Sequence, residues 1–271
     1  MRSARGASQL GLPKFKKKGV HDSFRLTGAI RVLERHIQLP SLGAIRRKET
    51  PAVEGRILSA TVSRKADRWF VSIAVQLEKP QPEPVNGPVV GIDVGMVTLA
   101  AWSNGNRVDA PKPLQKELRK LKRLSRSLSR KEKGSKHRKK AQLRLARLHQ
   151  RIGNIRQDFL HQLITDLAKT KPVIVVEDLN VKGMMQNHHW ARYVQDPSWS
   201  EMKRQLAYKT TWYGSKLVEA DGWFASSKTC HVCGHRMDEM PLSVGQWICP
   251  VCGVANDRYE HAARNLEALA S

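Results

Sequence analysis

Three observations predict an α/β layer architecture for this 271-residue chain. "VVGIDVG" is an apolar run interrupted by one aspartate, and "KPVIVVEDLN" is a second, nearly unbroken one. Between them lie two long segments of helical periodicity. Short Val/Ile-rich runs suit strands buried on both faces, and strands that alternate with helices are how such sheets are covered.

The elements follow in order. Up to about Pro84 the chain reads as β: "GRILSATVSRKADRWFVSIAVQL" is two β-branched and aromatic runs around a polar "RKAD" turn, the pattern of a hairpin. "PQPEPVNGP" is a Pro-rich linker that suits neither a helix nor a central strand. A strand over 89–94 follows, Gly95 permits a sharp turn, and a second strand runs through Trp102. "PLQKELRKLKRLSRSLSRKE" and "KHRKKAQLRLARLHQRIGNIRQDFLHQLITDLAK" read as helices separated by "KGS". In the second, Leu145, Leu148, Ile152, Ile155 and Phe159 recur at alternating spacings of three and four, which places them on one buried stripe. After the "VIVVE" strand come an amphipathic helix around "WSEMKRQLAYKTTWYGSKL", a short strand "LVEADGWF", a cysteine block and a terminal helix "RYEHAARNLEALA". Trp190, Trp199, Trp212, Tyr213, Trp223 and Phe224 lie in amphipathic segments, so core packing is expected of them before base stacking.

Charge narrows the function. The net charge is +24, and residues 112–156 hold 18 lysines and arginines against Glu117 and Glu132. Such a segment repels itself unless a polyanion neutralises it, which points to nucleic acid; the alternative is a solvated helical face. Arg119, Lys122, Arg123, Arg126, Arg130 and Lys131 are the candidate backbone contacts. The segment lacks the Trp/Phe-rich face of a membrane-surface helix, and nothing approaches a membrane span. "MRSARGASQLGLPKFKKKG" has no apolar stretch for a signal peptide, so a cytoplasmic, nucleoid-associated protein is expected.

Cys230, Cys233, Cys249 and Cys252 form two C-x2-C pairs with fifteen residues between them. Each pair can grip one metal through a tight turn, with Gly234 and Gly253 supplying a positive φ. Four thiolates suit a closed tetrahedral, structural Zn²⁺ site; disulfides are the alternative. His231 and His235 are not needed as ligands and are expected at the surface.

Asp93 and Glu177 stand at or near the ends of apolar strands, where a carboxylate is costly unless a cation or hydrogen bonds compensate it. Carboxylates gathered from distant strands are how two-metal phosphodiesterases hold Mg²⁺, although each could simply cap a turn. Taken together, "GIDVGMVTLAAWSNG", "VVEDLNVKGMM", "SSKTCHVCG" and "CPVCG…DR…AARNL" resemble, in order, the signatures of the TnpB family. These are transposon-encoded, RNA-guided DNA endonucleases related to type V CRISPR effectors.

The resemblance implies an RNase H-like (RuvC) domain with an inserted zinc ribbon, preceded by a β-barrel wedge. The boundaries it suggests are 1–84 for a partial wedge, 85–225 for the RuvC-like domain with its basic helical hairpin (112–170), 226–254 for the ribbon and 255–271 for the completing helix. It also implies a guide RNA, target DNA and catalytic Mg²⁺. Two departures accompany it. The chain has no room for the family's helical recognition segment, which a second chain would have to supply. And where the family's third motif resembles D-R-D-x-N-A-A, this chain reads "DRYEHAA". Asp93 and Glu177 match the first two catalytic positions, while Tyr259, a phenol and a poor Mg²⁺ ligand, fills the third. Asp257 is the candidate substitute, but if helical it would lie about 200° around the axis from Tyr259, and Glu260 and His261 are also misdirected. Weak or absent cleavage by a guide-RNA-bound protein is expected. The alternatives are an active endonuclease using Asp257 or Glu260, and a transposon remnant that binds nucleic acid non-specifically.

Overall fold

The computed structural model describes residues 22–49, 53–78, 81–95, 98–178, 186, 198–241 and 244–270. The chain divides into two compact units, Met1–Glu78 and Lys79–Ser271.

The first unit is antiparallel β. Strands β1 (Ser23–Leu26), β5 (Arg56–Lys65) and β6 (Arg68–Gln76) form one sheet in the order β1-β5-β6; β2 (Arg31–Val32), β3 (His36–Leu39) and β4 (Gly43–Arg46) form another. The β5–β6 hairpin is the one the sequence predicts. Its ladder closes at Lys65–Arg68 around Ala66 and Asp67, and Ala66 takes a left-handed φ of 54°. Alternating Val71, Ile73 and Val75 turn inward. Ile30, Ile37, Leu39, Ala60 and Val62 form the small core.

The second unit is built on a mixed five-stranded sheet. Strands β7 (Val90–Val94), β8 (Ala100–Trp102) and β9 (Arg107–Val108) are an antiparallel meander. Next come the helices α1 (Pro113–Ser129) and α2 (Lys136–Thr170), strand β10 (Val173–Glu177), helix α3 (Trp199–Tyr213) and strand β11 (Lys216–Ala220). The order is β11-β10-β7-β8-β9, with β10 parallel to both β7 and β11. The cysteine block carries a small antiparallel pair, β12 (Gln246–Ile248) and β13 (Ala255–Asp257), and β13 runs directly into α4 (Arg258–Glu267).

Side-chain alternation assigns the two faces of the large sheet. Val90, Ile92, Ile174 and Val176 pack with Leu160, Ile164 and Leu167 of α2 and with Trp199, Met202 and Leu206 of α3. Gly91 and Val175 are cross-strand partners and face the other way, toward α4. A Cβ on Gly91 would lie 1.9 Å from the Ala263 carbonyl oxygen, so only glycine lets α4 rest on β7 there. Gly95 works similarly. It stands at the turn expected of it, its N–H donating to the Leu99 carbonyl at 3.1 Å, and a Cβ would stand 2.9 Å from the Thr98 oxygen.

The two basic helices are fastened at their junction. Ser135 caps α2 by accepting the Arg138 N–H (3.1 Å), and the Arg138 guanidinium donates to the Leu128 and Lys131 carbonyls at 2.9 Å. These bonds tie the first turn of α2 to carbonyls at and just after the end of α1. No helix among the described residues is long and apolar enough to cross a membrane.

Candidate functional site

Asp93 lies two residues beyond Gly91 and Glu177 two beyond Val175, so both carboxylates share the face covered by α4. They stand on adjacent parallel strands, one step past the Val176–Ile92 pairing, at the same edge of the sheet. Burial is the main cause that pushes the Asp93 pKa up to about 8, and the neighbouring Glu177 carboxylate adds to it. The Arg258 charge opposes the shift, and the Asp257 carboxylate reinforces it. Burial also raises Glu177. Two carboxyl groups held where ionisation is costly make a setting that a hard cation would relieve.

The first turn of α4 completes this edge. Tyr259 is one turn before Ala263 on the helix face that meets β7, and its ring edge comes within 3.7 Å of where a Cβ on Gly95 would sit. Asp257 is not helical. Its φ and ψ of −82° and 126° make it the extended N-cap of α4, so it does not take the helical position that would turn it away from Tyr259. One oxygen accepts the N–H groups of Tyr259 (3.1 Å) and Glu260 (3.2 Å), and the other pairs with Arg107 at 2.7 Å. The Arg107 guanidinium also lies 5.9 Å from the Tyr259 ring centre. Burial pushes the Asp257 pKa up, but Arg107 and the two backbone N–H groups outweigh it and leave a net lowering.

Glu260 pairs with Arg264 at 2.6 Å, and buried His261 stacks edge-on against Trp247. Both line a cavity between α4 and the ribbon strands. Asp93 and Glu177 thus offer two hard oxygen donors on adjacent strands, and Tyr259 brings a phenol ring to the neighbouring Gly95.

The four cysteines converge. Zn–S bonds of about 2.3 Å at tetrahedral angles separate sulfurs by about 3.8 Å. Here Cys230–Cys252 and Cys233–Cys249 are each 3.6 Å apart, and all four sulfurs lie within 4.8 Å of one another. The two turns match bond for bond. Cys230 N–H donates to His235 O (2.8 Å) and Gly234 N–H to Cys230 O (2.9 Å); Cys249 N–H donates to Val254 O and Gly253 N–H to Cys249 O, both at 2.9 Å. Gly234 and Gly253 have the positive φ their positions call for, +73° and +70°. Burial alone would raise the Cys249 thiol, but the Cys252 and Val251 N–H groups hold it down at about 6. The His235 N–H lowers the Cys233 thiol, but burial and the neighbouring thiols outweigh it and push it up to about 12. His231 is half-buried rather than free at the surface. Its Nδ1 is 3.0 Å from His261 Nδ1, which links the ribbon to α4.

Arg119, Lys122, Arg123, Arg126, Arg130 and Lys131 all line one open groove of about 630 Å³ along α1. The leucines of α1 fall on the opposite side of the helix, a spacing that the sequence pattern explains. Of the aromatic residues expected in the core, Trp199 is buried and Phe224 packs against Val175, Ala220 and Leu266. Trp212 and Trp223 are not core residues; both are exposed. Trp190 lies outside the described residues.

Residues 72–188 match the OrfB_IS605 family model, described as "Probable transposase", and residues 199–266 match the Cas12f1-like TNB domain. The Escherichia coli K12 protein named "Putative RNA-guided DNA endonuclease InsQ" is 34% identical over 94% of this chain and 68% of its own length. This chain belongs to the TnpB family. A Streptomyces pristinaespiralis member with the same descriptive name is 42% identical over 78% of this chain and 52% of its own, and a Mycobacterium tuberculosis H37Rv member is 40% identical over 97% and 62%. The chain thus spans about half to two thirds of the length of these two TnpB relatives. The Cas12f1 chain of a Cas12f1–sgRNA–target DNA complex superposes with a TM-score of 0.56 at 18% identity, over 78% of this chain and 45% of that one, which indicates a shared fold.

Beside the TnpB signatures, two features are not legible in sequence. Arg107 sits in a polar hairpin tail with no motif around it, and only the fold carries it to Asp257. Trp223 reads as one more aromatic of an amphipathic segment.

Proposed function

We propose that this chain acts as a guide-RNA-dependent DNA-binding protein of the TnpB type whose cleavage is slow or absent. Asp93 and Glu177 serve as the first two ligands of a RuvC-like site, and Tyr259 occupies the third ligand's place. The observation that carries this reading is Tyr259 on the α4 face that meets β7, with Asp257 engaged as a helix cap and ion-pair partner. A three-strand meander followed by two parallel strands, flanked by helices on both faces, supports the RNase H-like assignment for 85–225 and 255–271. The antiparallel sheets of the first unit support a partial wedge barrel over 1–84, and the cysteine cluster supports a Zn²⁺ ribbon over 226–254.

Bound at Asp93 and Glu177, Mg²⁺ would supply Lewis-acid polarisation of a phosphate. The α1 groove, with Arg119, Lys122, Arg123, Arg126, Arg130 and Lys131, holds nucleic-acid backbone, guide RNA before target DNA. A cytoplasmic, nucleoid-associated location completes the proposal.

Tyr259→Asp tests it. The substitution should tighten Mg²⁺ binding and raise Mg²⁺-dependent cleavage of guide-matched DNA, and Asp93→Ala in the same background should abolish the gain. Robust cutting by the unaltered chain that disappears on Asp257→Ala would instead make Asp257 the third ligand, a reading favoured by its electrostatic reach to Asp93.

A further inference from the structure

We propose that Trp223 is a stacking platform that holds one base of a single-stranded nucleic acid beside the Asp93–Glu177 edge. This inference rests on the nucleic-acid reading above and adds a base-binding position to it. Trp223 is 92% exposed, an unusual setting for the largest apolar side chain. The backbone that carries it is nevertheless held in place. Asp221 accepts the Trp223 N–H on its side chain (2.8 Å) and the Phe224 N–H on its carbonyl (2.9 Å), closing a tight turn. Phe224 roots the far side of that turn in the core with Val175 and Leu266. On the near side, Gly222 approaches so closely that a Cβ would stand 2.9 Å from the Asp178 oxygen, and Asp178 directly follows Glu177.

The indole therefore shares one open cavity, about 620 Å³, with Glu177, Asp178, Glu219 and Asp221. That volume falls within the roughly 300–1,000 Å³ of small-molecule sites. The lining decides what enters. The nearby cation Lys203 is engaged by Asp178 (2.7 Å) and Glu219 (2.8 Å), so the acidic rim repels phosphate and favours an uncharged ring. A base with its backbone turned away from the rim satisfies both the charge and the exposed aromatic face. Stacking of this kind tolerates any sequence, as a guide-directed protein requires of its own contacts. A strand passing Glu177 would thus be gripped through one base, with its phosphates directed away from the acidic rim.

The test is a cycle on the full chain without added Mg²⁺. Affinities for a 12-mer of deoxythymidine and for a fully abasic 12-mer of the same length are measured with the unaltered protein, Trp223→Ala and Trp223→Phe. Trp223→Ala should weaken thymidine 12-mer binding about 5- to 100-fold and leave the abasic 12-mer unchanged, and Trp223→Phe should recover most of the difference. Because the side chain is exposed, the alanine variant keeps its fold, which an unchanged melting temperature verifies. Equal weakening on both oligomers, or none on either, overturns the stacking role while the nucleic-acid reading stands. Failure of the unaltered chain to bind either oligomer overturns the stacking proposal, while the guide-dependent reading is tested separately by Tyr259→Asp with guide-matched DNA. Retained oligomer binding with loss of a protein partner on Trp223→Ala would mark the turn as a protein-docking point and also overturn the proposal.

Discussion

Asp93 is legible as a special residue because a carboxylate in an apolar run is expensive, and the fold shows where the expense arises: burial first, then Glu177 beside it. The sign of the resulting pH dependence follows. The folded-state pKa, about 8, lies above the unfolded value, so the folded chain holds a proton that the unfolded chain releases. The associated stability is complete below about pH 4 and is lost progressively as pH rises toward about 8. At about 1.4 kcal/mol per pKa unit, the loss by pH 8 amounts to up to about 5 kcal/mol. In magnesium-free buffer, Asp93→Asn should therefore gain melting temperature over the unaltered chain as pH climbs from about 5 to about 8, and Mg²⁺ at the upper pH should raise the unaltered chain alone. Parallel pH slopes for the two proteins would contradict this. Asp257 shows the opposite limit of legibility. Its proximity to Tyr259 in sequence says nothing of the Arg107 ion pair, which depends on β9 and β13 meeting in space.

Among the elements, α1 can be read almost completely from its sequence. Its leucines recur at helical spacing, and Arg119, Lys122, Arg123, Arg126 and Arg130 follow at three, one, three and four on the other side, so one groove is what the helix must present. Substituting four of the six groove cations with glutamine should weaken binding to RNA and DNA of any sequence. It should also reduce the slope of log affinity against log salt by about 0.9 for each duplex phosphate no longer neutralised, or about 0.7 on a single strand. An unchanged slope in salt titrations would leave the groove merely solvated. The strands β7 and β10 are equally clear, since their apolar runs match burial on both faces. What sequence does not supply is the reason for Gly91, because a glycine in a strand says only that something comes close. That α4 is the approaching body depends on a helix far downstream in the chain.

At the scale of the whole second unit, the cysteine cluster and the carboxylate edge are one mechanical assembly. Strand β13 ends at Asp257, which caps α4; α4 carries Tyr259 and rests on β7 at Gly91. The ribbon grips the same helix from outside. Asn265 donates to the Ser226 and Thr229 carbonyls at 2.7 and 2.6 Å, and His231 meets His261. Among the described residues, the apolar support inside the ribbon is a small cluster around Trp247, Cys230 and Cys249, so a bound metal would be its main source of stability. Binding of Zn²⁺ by such a site is worth about 10–16 kcal/mol in isolated peptides, more than a domain's usual margin. One Zn²⁺ per chain should therefore be found by metal analysis. Stripping it with a strong chelator should raise amide hydrogen exchange first in 226–257 and then through α4, while residues 160–168 of α2, buried against the far face of the sheet, stay protected. Loss of α4 order should in turn weaken Mg²⁺ binding in the Tyr259→Asp variant, although no proposed Mg²⁺ ligand lies in the ribbon. Zinc-free protein with unchanged exchange in α4 would show that the helix holds its place on β7 without the ribbon, and the two sites would then be independent.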